Sequence, residues 1–421
     1  MEKAIVAIGA LFFLGHFLKW VFLKTKIPDL LILVIIGYVA GPVLGYVSPE
    51  DFGKVGGLLS TLALVVILYE GGLKLDTNDL STSSLPAAAI SVLGFISIAA
   101  IAFFCAFVIA KQEWHIALLL GLGMGSTSSA VVIPMVQFLS CSDRGKTILS
   151  LESAFTDVLA IVCFLVITDG IVSNQFSIQN LLVGIGPKTI ASVFLGLGFG
   201  LIWAFLRTRF SDLTSMVFAS EAFALMSYGL IELSGYNGAM AVLALGFCLA
   251  NLSLLPDWMN KHVKVNTVRF RELSLLAEIS FLLKTVFFIY LGILIKFSSL
   301  QTVLFAFLIS VCIFITRYFC VKLLFKKADY SKKDAMVTVA MGPRGLACAV
   351  LATIPLQRGV EGGLWLQDTL FAMIPISIIL TSIFVISSES PEVSKFFNRF
   401  FEGYQDKDLI EEESTNPLPE S

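Results

Sequence analysis

The chain has 421 residues, of which 57% are hydrophobic and only 14% charged, and Phe alone occurs 36 times. A soluble domain carries about a quarter charged residues, and apolar runs recur along nearly the whole length, so a string of soluble domains is excluded and an all-α polytopic membrane protein is expected. The formal net charge of −2 singles out no partner, and nucleic acid is not among those expected.

Taken in chain order, about thirteen stretches read as transmembrane helices. Their centres fall near Phe12, Ile36, Leu64, Ser97, Met124, Leu159, Phe199, Phe223, Leu245, Phe287, Ser310, Leu346 and Ile376. The first, from about Lys3, has no small-residue cleavage site before Lys24 and reads as a retained helix, not a signal peptide. The stretches near Asp51–Leu75 and Gly238–Leu255 are short, which points to tilted or broken spans. An odd number of spans puts the termini on opposite sides. Most of the 29 Lys and Arg then fall in alternate loops, among them Lys24, Lys26, Arg207, Arg209, Lys326 and Lys327. The positive-inside rule assigns those loops to the cytoplasm, with the N-terminus outside and the C-terminus inside, in a multi-pass cell-membrane protein.

The membrane domain is expected over residues 1–388 and a cytoplasmic tail over 389–421. In the tail, Phe396, Phe397, Phe400 and Phe401 recur at helical spacing beside Lys395 and Arg399, as in a short interfacial helix. The end with Glu411, Glu412 and Glu413 reads as disordered. No strand–GxGxxG–helix unit follows the spans, so a nucleotide-sensing domain is not expected.

Charges and helix breakers inside apolar spans are costly, and they mark the positions of interest. Span three ends in Tyr69-Glu70-Gly71-Gly72; Glu70 is either a snorkelling carboxylate or the wall of a cation cavity. Span five crowds Gly121, Gly123, Gly125, Ser126, Thr127, Ser128, Ser129 and Pro134 into one midspan. Gly and Pro weaken a helix, and broken helices persist in membranes where they line a cavity. Freed carbonyls and hydroxyls then suit a partly dehydrated cation. Close packing through small residues is the plainer alternative.

Span six carries Glu152-Ser153-Ala154-Phe155-Thr156-Asp157. Glu152 and Asp157 lie about 140° apart around a helix and cannot share a face, whereas Ser153 and Asp157 can. Asp157, backed by Ser153 and flanked by Thr156, is therefore the better ion ligand. The buried cations are Arg317 in span eleven and Arg344 in span twelve, and either can pair with Glu152 and keep it ionised. Lys284 in span ten is a snorkelling lysine or a further partner. Span twelve is interrupted at Gly342-Pro343-Arg344-Gly345, an odd number of spans after span five. Two interrupted helices in opposed orientation point to an inverted-repeat transporter with its site near the midplane. His16, His115, His262 and the seven scattered cysteines read as packing or interfacial residues, not as ligands or disulfides. No cofactor and no enzymatic activity are expected.

In order and span position, Glu70-Gly71-Gly72, Ser126 to Val132 with Pro134, Glu152-Ser153 with Thr156-Asp157, and Gly342-Pro343-Arg344-Gly345 resemble the cation:proton antiporter superfamily. The resemblance is closest to its sodium/proton exchangers of NhaP type and runs from about Lys3 to Ser388. It implies a homodimer in the lipid bilayer, each subunit having dimerisation helices and a core domain that shifts like an elevator. It makes Asp157 the carrier of ion and proton. Ser153, Thr127, Glu70, Ser126 and Thr156 become companions about the monovalent cation, and Glu152 becomes the structural acid paired with Arg317 and Arg344.

Two positions depart from the NhaP pattern. Thr156 stands where those exchangers usually carry Asn and electrogenic relatives a second Asp, which favours one-for-one, electroneutral exchange. Thr127-Ser128-Ser129 replaces a common Thr-Asp-Pro and is similar to the glutathione-gated potassium branch, so Na⁺ and K⁺ both stay open. The expected function is exchange of Na⁺ (or K⁺, Li⁺) for H⁺ by alternating access, the two competing for Asp157. A gated K⁺ efflux pathway and a non-transporting membrane sensor on the same fold are the alternatives.

Overall fold

The computed structural model describes residues 2–25, 27–73, 84–173, 186–210, 218–254, 270–295, 300–327, 330–389 and 399–404. Among the described residues the chain is helical and contains no sheet. The helices are α1 (Glu2–Thr25), α2 (Asp29–Tyr38), α3 (Pro49–Leu73), α4 (Ser84–Phe104), α5 (Trp114–Gly125), α6 (Ser129–Val136), α7 (Asp143–Val172) and α8 (Gly186–Arg209). They continue as α9 (Ala219–Leu233), α10 (Gly238–Ala250), α11 (Phe270–Leu294), α12 (Leu300–Leu324), α13 (Lys332–Ala340), α14 (Leu346–Gln357) and α15 (Gly363–Glu389). Every expected span centre lies in one of them, with α5–α6 and α13–α14 each filling one interrupted span. Among the described residues, 7 segments are by themselves long and apolar enough to cross a membrane, and α10 and α14 are shorter apolar helices.

Small residues decide which helices meet. A Cβ on Gly37 of α2 would lie 2.0 Å from the Ile289 carbonyl oxygen of α11, and one on Gly292 of α11 would lie 2.2 Å from that of Val34. The pair α3–α10 is built the same way, with Gly72 against Leu243 and Gly246 against Tyr69. Without a hydrophobic drive between helices in lipid, such backbone-to-backbone approach supplies the packing energy. In this way α1–α3 pack with α8–α11, and α4–α7 pack with α12–α15. The two sets touch where α14 meets α3 and α11, and where α15 meets α2.

Both expected interruptions are present, at residues 126–128 and 341–345. Pro134, expected to help break span five, instead lies inside α6. The short span near Asp51 is kinked at Gly53, whose φ of 44° and ψ of −128° are non-helical. All seven cysteines are free, and five of them are buried.

The tail differs from expectation. Arg399–Phe401 form a single 3₁₀ turn, and Phe401 and Tyr404 are buried against the protein, in a cluster with Val321, Phe325 and Tyr330. Hydrogen bonds from Tyr318 to the Phe400 carbonyl and from Tyr404 to the Phe325 carbonyl hold the segment there. Phe401 therefore docks on the protein, while Phe400 stays about half exposed. Phe396, Phe397 and the acidic end fall outside the described residues.

Candidate functional site

The two interrupted spans cross at their breaks. After α5 the backbone turns extended at Ser126, with φ −76° and ψ 145°, and α6 begins at Ser129. The Ser128 N–H donates to the Pro343 carbonyl at 2.8 Å, so a backbone hydrogen bond joins one break to the other. Gly345 makes this approach possible: a Cβ there would stand 2.0 Å from the Ser128 hydroxyl and 2.6 Å from its Cβ. Gly345→Ala is therefore expected to separate the two breaks. The melting temperature of this variant in detergent should fall clearly below that of the native protein, and an unchanged value would mean that the approach at Gly345 does not hold the breaks together.

An interrupted helix leaves carbonyls without partners at its C-terminal end, where positive charge is stabilising. Each break is completed by an arginine from elsewhere. Arg344, fully buried, donates to the Ser126 carbonyl and approaches the Thr127 hydroxyl at 3.4 Å. Arg317 donates from Nε and Nη2 to the Thr338 carbonyl near the end of α13, at 3.1 and 2.8 Å. Arg317 also grips both oxygens of Glu152, at 2.6 and 3.0 Å, with both side chains buried. This bidentate geometry is the strong form of the ion pair.

The expectation that Glu152 pairs with both arginines is thus corrected. Arg317 takes the carboxylate, and Arg344 is held by the α5 carbonyl end and by Ser377, whose Oγ accepts its backbone N–H at 2.9 Å. The reason is reach: Arg344 leaves the second break facing the first, and the nearest acceptors there are the groups freed at Ser126 and Thr127.

Asp157 sits on α7 at the N-terminal end of α6. Its Oδ2 accepts from the Ser129 hydroxyl at 2.8 Å and from the Ser129 N–H at 3.3 Å. A helix N-terminus is a favourable place for a carboxylate. Asp157, Glu70, Ser128, Ser129 and Lys284 line one cavity of about 40 Å³, walled by apolar residues such as Ile67, Leu243 and Leu346. Glu70 and Lys284 form an ion pair of 3.1 Å, each about one-fifth exposed. Lys284 is therefore Glu70's partner and not a snorkelling lysine, and Glu70 is a cavity wall. Gly72, packed on α10, fixes the end of α3 that carries Glu70.

The other expected companions of the cation lie behind the cavity. Thr156 accepts the Thr127 N–H at 3.0 Å and so braces the first break. Ser153 gives its proton to the Ser150 carbonyl at 2.9 Å. A hydroxyl that reaches Asp157 is that of Ser129. Ser129 and Lys284 are the residues whose places sequence reasoning does not supply. Ser129 belongs to a recognised hydroxyl run, and no spacing rule tells which of four hydroxyls meets a carboxylate on another helix. Asp334 also escapes such reasoning: it caps α13 through Ser331 and takes the N–H and hydroxyl of Ser142, joining the starts of α13 and α7.

The family described as "Sodium/hydrogen exchanger, transmembrane" matches residues 9–387. Among curated relatives, the K(+)/H(+) antiporter NhaP of Alkalimonas amylolytica is 26% identical over 387 residues, covering 90% of this chain and 65% of that protein. The K(+)/H(+) antiporter NhaP2 of Shewanella sp. strain ANA-3 is 26% identical over 85% of this chain and 61% of its own length. The chain thus spans less than two thirds of the length of these relatives. Among solved structures, the sodium proton antiporter MjNhaP1 of Methanocaldococcus jannaschii superposes with a TM-score of 0.72 at 21% identity, covering 95% of this chain and 98% of that one. That likeness establishes the antiporter fold.

Proposed function

The chain belongs to the sodium/hydrogen exchanger family, and from that premise we propose that it exchanges a monovalent cation, Na⁺ or K⁺ (or Li⁺), for H⁺ by alternating access. The observation that carries the proposal is the cavity at Asp157. Two carboxylates, Asp157 and Glu70, face one ammonium, Lys284. Among the side chains that line the cavity the carboxylates outnumber the ammonium by one, so the lining can take up one monovalent cation or one proton. Competition between the two for Asp157 couples their movements.

The cavity walls come from both packing sets, with α6, α7 and α14 on one side and α3, α10 and α11 on the other. A shift of one set against the other moves Asp157 relative to Glu70 and opens the cavity to alternate sides. We assign α4–α7 and α12–α15 to the moving core, and α1–α3 with α8–α11 to the scaffold that pairs two subunits in a homodimer. The N-terminus lies outside and the tail in the cytoplasm. Relatives named for K⁺/H⁺ exchange and a fold neighbour named for sodium keep both ions in the proposal.

The test is a cation jump on proteoliposomes of the purified protein, read with a pH dye for Na⁺, K⁺ and Li⁺ separately. Cation-dependent proton movement in the opposite direction is the expected result. A large conductance without proton coupling would instead identify a channel, and no response to any cation would remove transport altogether.

One cation against one proton moves no net charge per cycle. Thr156, its hydroxyl turned to the Thr127 N–H, supplies no second carboxylate. Initial rates are therefore expected to be the same with and without an imposed membrane potential. A rate that follows the potential, with transient currents on a supported membrane, would overturn electroneutrality and direct attention to Lys284.

A further inference from the structure

A second cavity, of about 440 Å³, lies between α12, α13 and α15. This volume falls within the range of ligand sites. Its wall is apolar, with Phe314, Tyr318 and Phe319 from α12, Ala340 from α13, Phe384 from α15 and Phe400 from the tail. The groove opens on the outer face of α12, where Ile315 and Phe319 are exposed. That helix is 25 residues long and apolar enough to span the membrane, so the opening faces hydrocarbon, not water.

One end of the groove is cationic. Lys322 places its ammonium 4.8 Å from the centre of the Tyr318 ring. Lys333 donates from Nζ to the Ser388 carbonyl at 2.6 Å, and Tyr318 and Ser388 both line the groove. The tail closes the same end. Tyr318 donates to the Phe400 carbonyl at 3.3 Å. Gly403, at φ +92°, lets the chain turn where a Cβ would meet the Lys327 ammonium at 3.0 Å.

The geometry points to a binding site for an anionic phospholipid, one acyl chain in the groove and the phosphate at Lys322 and Lys333. The hydrocarbon chain matches the wall, the two ammonium groups match a phosphodiester, and the sideways opening matches entry from the bilayer. The site also reaches the transport machinery. Phe314 lines the groove and packs against Gly342, where an added Cβ would lie 3.0 Å from its ring. Ala340 ends α13 at the second break. A chain in the groove fills the space behind Phe314 and holds the half of the crossing that carries Arg344. Through Phe400 it holds the tail as well.

The experiment is native mass spectrometry of the full-length protein in mild detergent, titrated with phosphatidylglycerol or phosphatidylcholine of identical chains. Basic residues near a membrane surface each add to anionic-lipid affinity, and two of them give a preference on the order of thirtyfold. Phosphatidylglycerol should remain bound at that advantage. Lys322→Gln with Lys333→Gln should erase the headgroup preference, and Ile315→Trp, which fills the groove mouth, should reduce retention of both lipids. Size-exclusion profile and melting temperature confirm that each variant is folded. Equal retention of the two lipids by the native protein would overturn the proposal, as would a phosphatidylglycerol preference unchanged in the lysine double variant. Binding is read without transport, so the outcome is independent of which ion the protein exchanges.

Discussion

Asp157→Asn will reduce cation-coupled proton movement to the level of empty liposomes while leaving the protein folded. The carboxylate is the one group of the crossing that faces the cavity and can hold either a proton or a cation. An amide takes up no proton at working pH and brings no negative charge to a cation, so it cannot alternate between the two. Folding should survive, because the contacts to Asp157 from the Ser129 hydroxyl and N–H reach a single oxygen, Oδ2, and the amide oxygen of Asn accepts in the same place. The measurement pairs pH-dye flux in proteoliposomes with the melting temperature in detergent. Wild-type flux in a folded Asp157→Asn protein would refute the assignment of Asp157 as carrier. Loss of flux together with unfolding would make Asp157 structural instead.

Glu152→Ala will do the reverse, costing stability first and activity as a consequence. Arg317 is buried, and Glu152 neutralises it with two hydrogen bonds of 2.6 and 3.0 Å. Removing one member of a buried ion pair typically costs about 3–5 kcal/mol, because the other charge is left uncompensated in a low dielectric. The loss is local to the crossing, since the same guanidinium holds the Thr338 carbonyl of α13. The expected result is a melting temperature well below those of the native protein and of Asp157→Asn. A Glu152→Gln variant, which keeps the shape and one acceptor oxygen, should recover part of the loss. Equal melting temperatures for Glu152→Ala and Asp157→Asn would count against the pairing.

The contrast between these two acids is legible in the sequence. Five positions apart on one helix, they must face different ways, and the fold puts Glu152 on the buried arginine and Asp157 on the cavity. The hydroxyl run is legible as a break, but its internal roles are not. Ser126 supplies a carbonyl, Thr127 a bond to Thr156, Ser128 the link to Pro343 and Ser129 the contact to Asp157. Four adjacent residues of similar chemistry take four different partners, divided between α7 and the second break.

What the sequence by itself determined is what depends on single residues against a uniform solvent. Apolar runs in lipid must be helices, since backbone groups have no other partners there. Gly, Pro and hydroxyl clusters must interrupt them, and charges within them must be paired or face a cavity. From this came the span centres, both breaks and the importance of Glu70, Glu152, Asp157, Lys284, Arg317 and Arg344. Only the tertiary structure decided the pairings. Arg317 went to Glu152, Arg344 to the Ser126 carbonyl, Lys284 to Glu70, and Phe401 of the tail to a cluster with Val321, Phe325 and Tyr330. The physical reason is that a buried charge needs some partner, while which partner it meets is set by how closely glycines such as Gly37, Gly72 and Gly345 let the backbones approach. That distance is a property of two helices together and is written in neither of them alone.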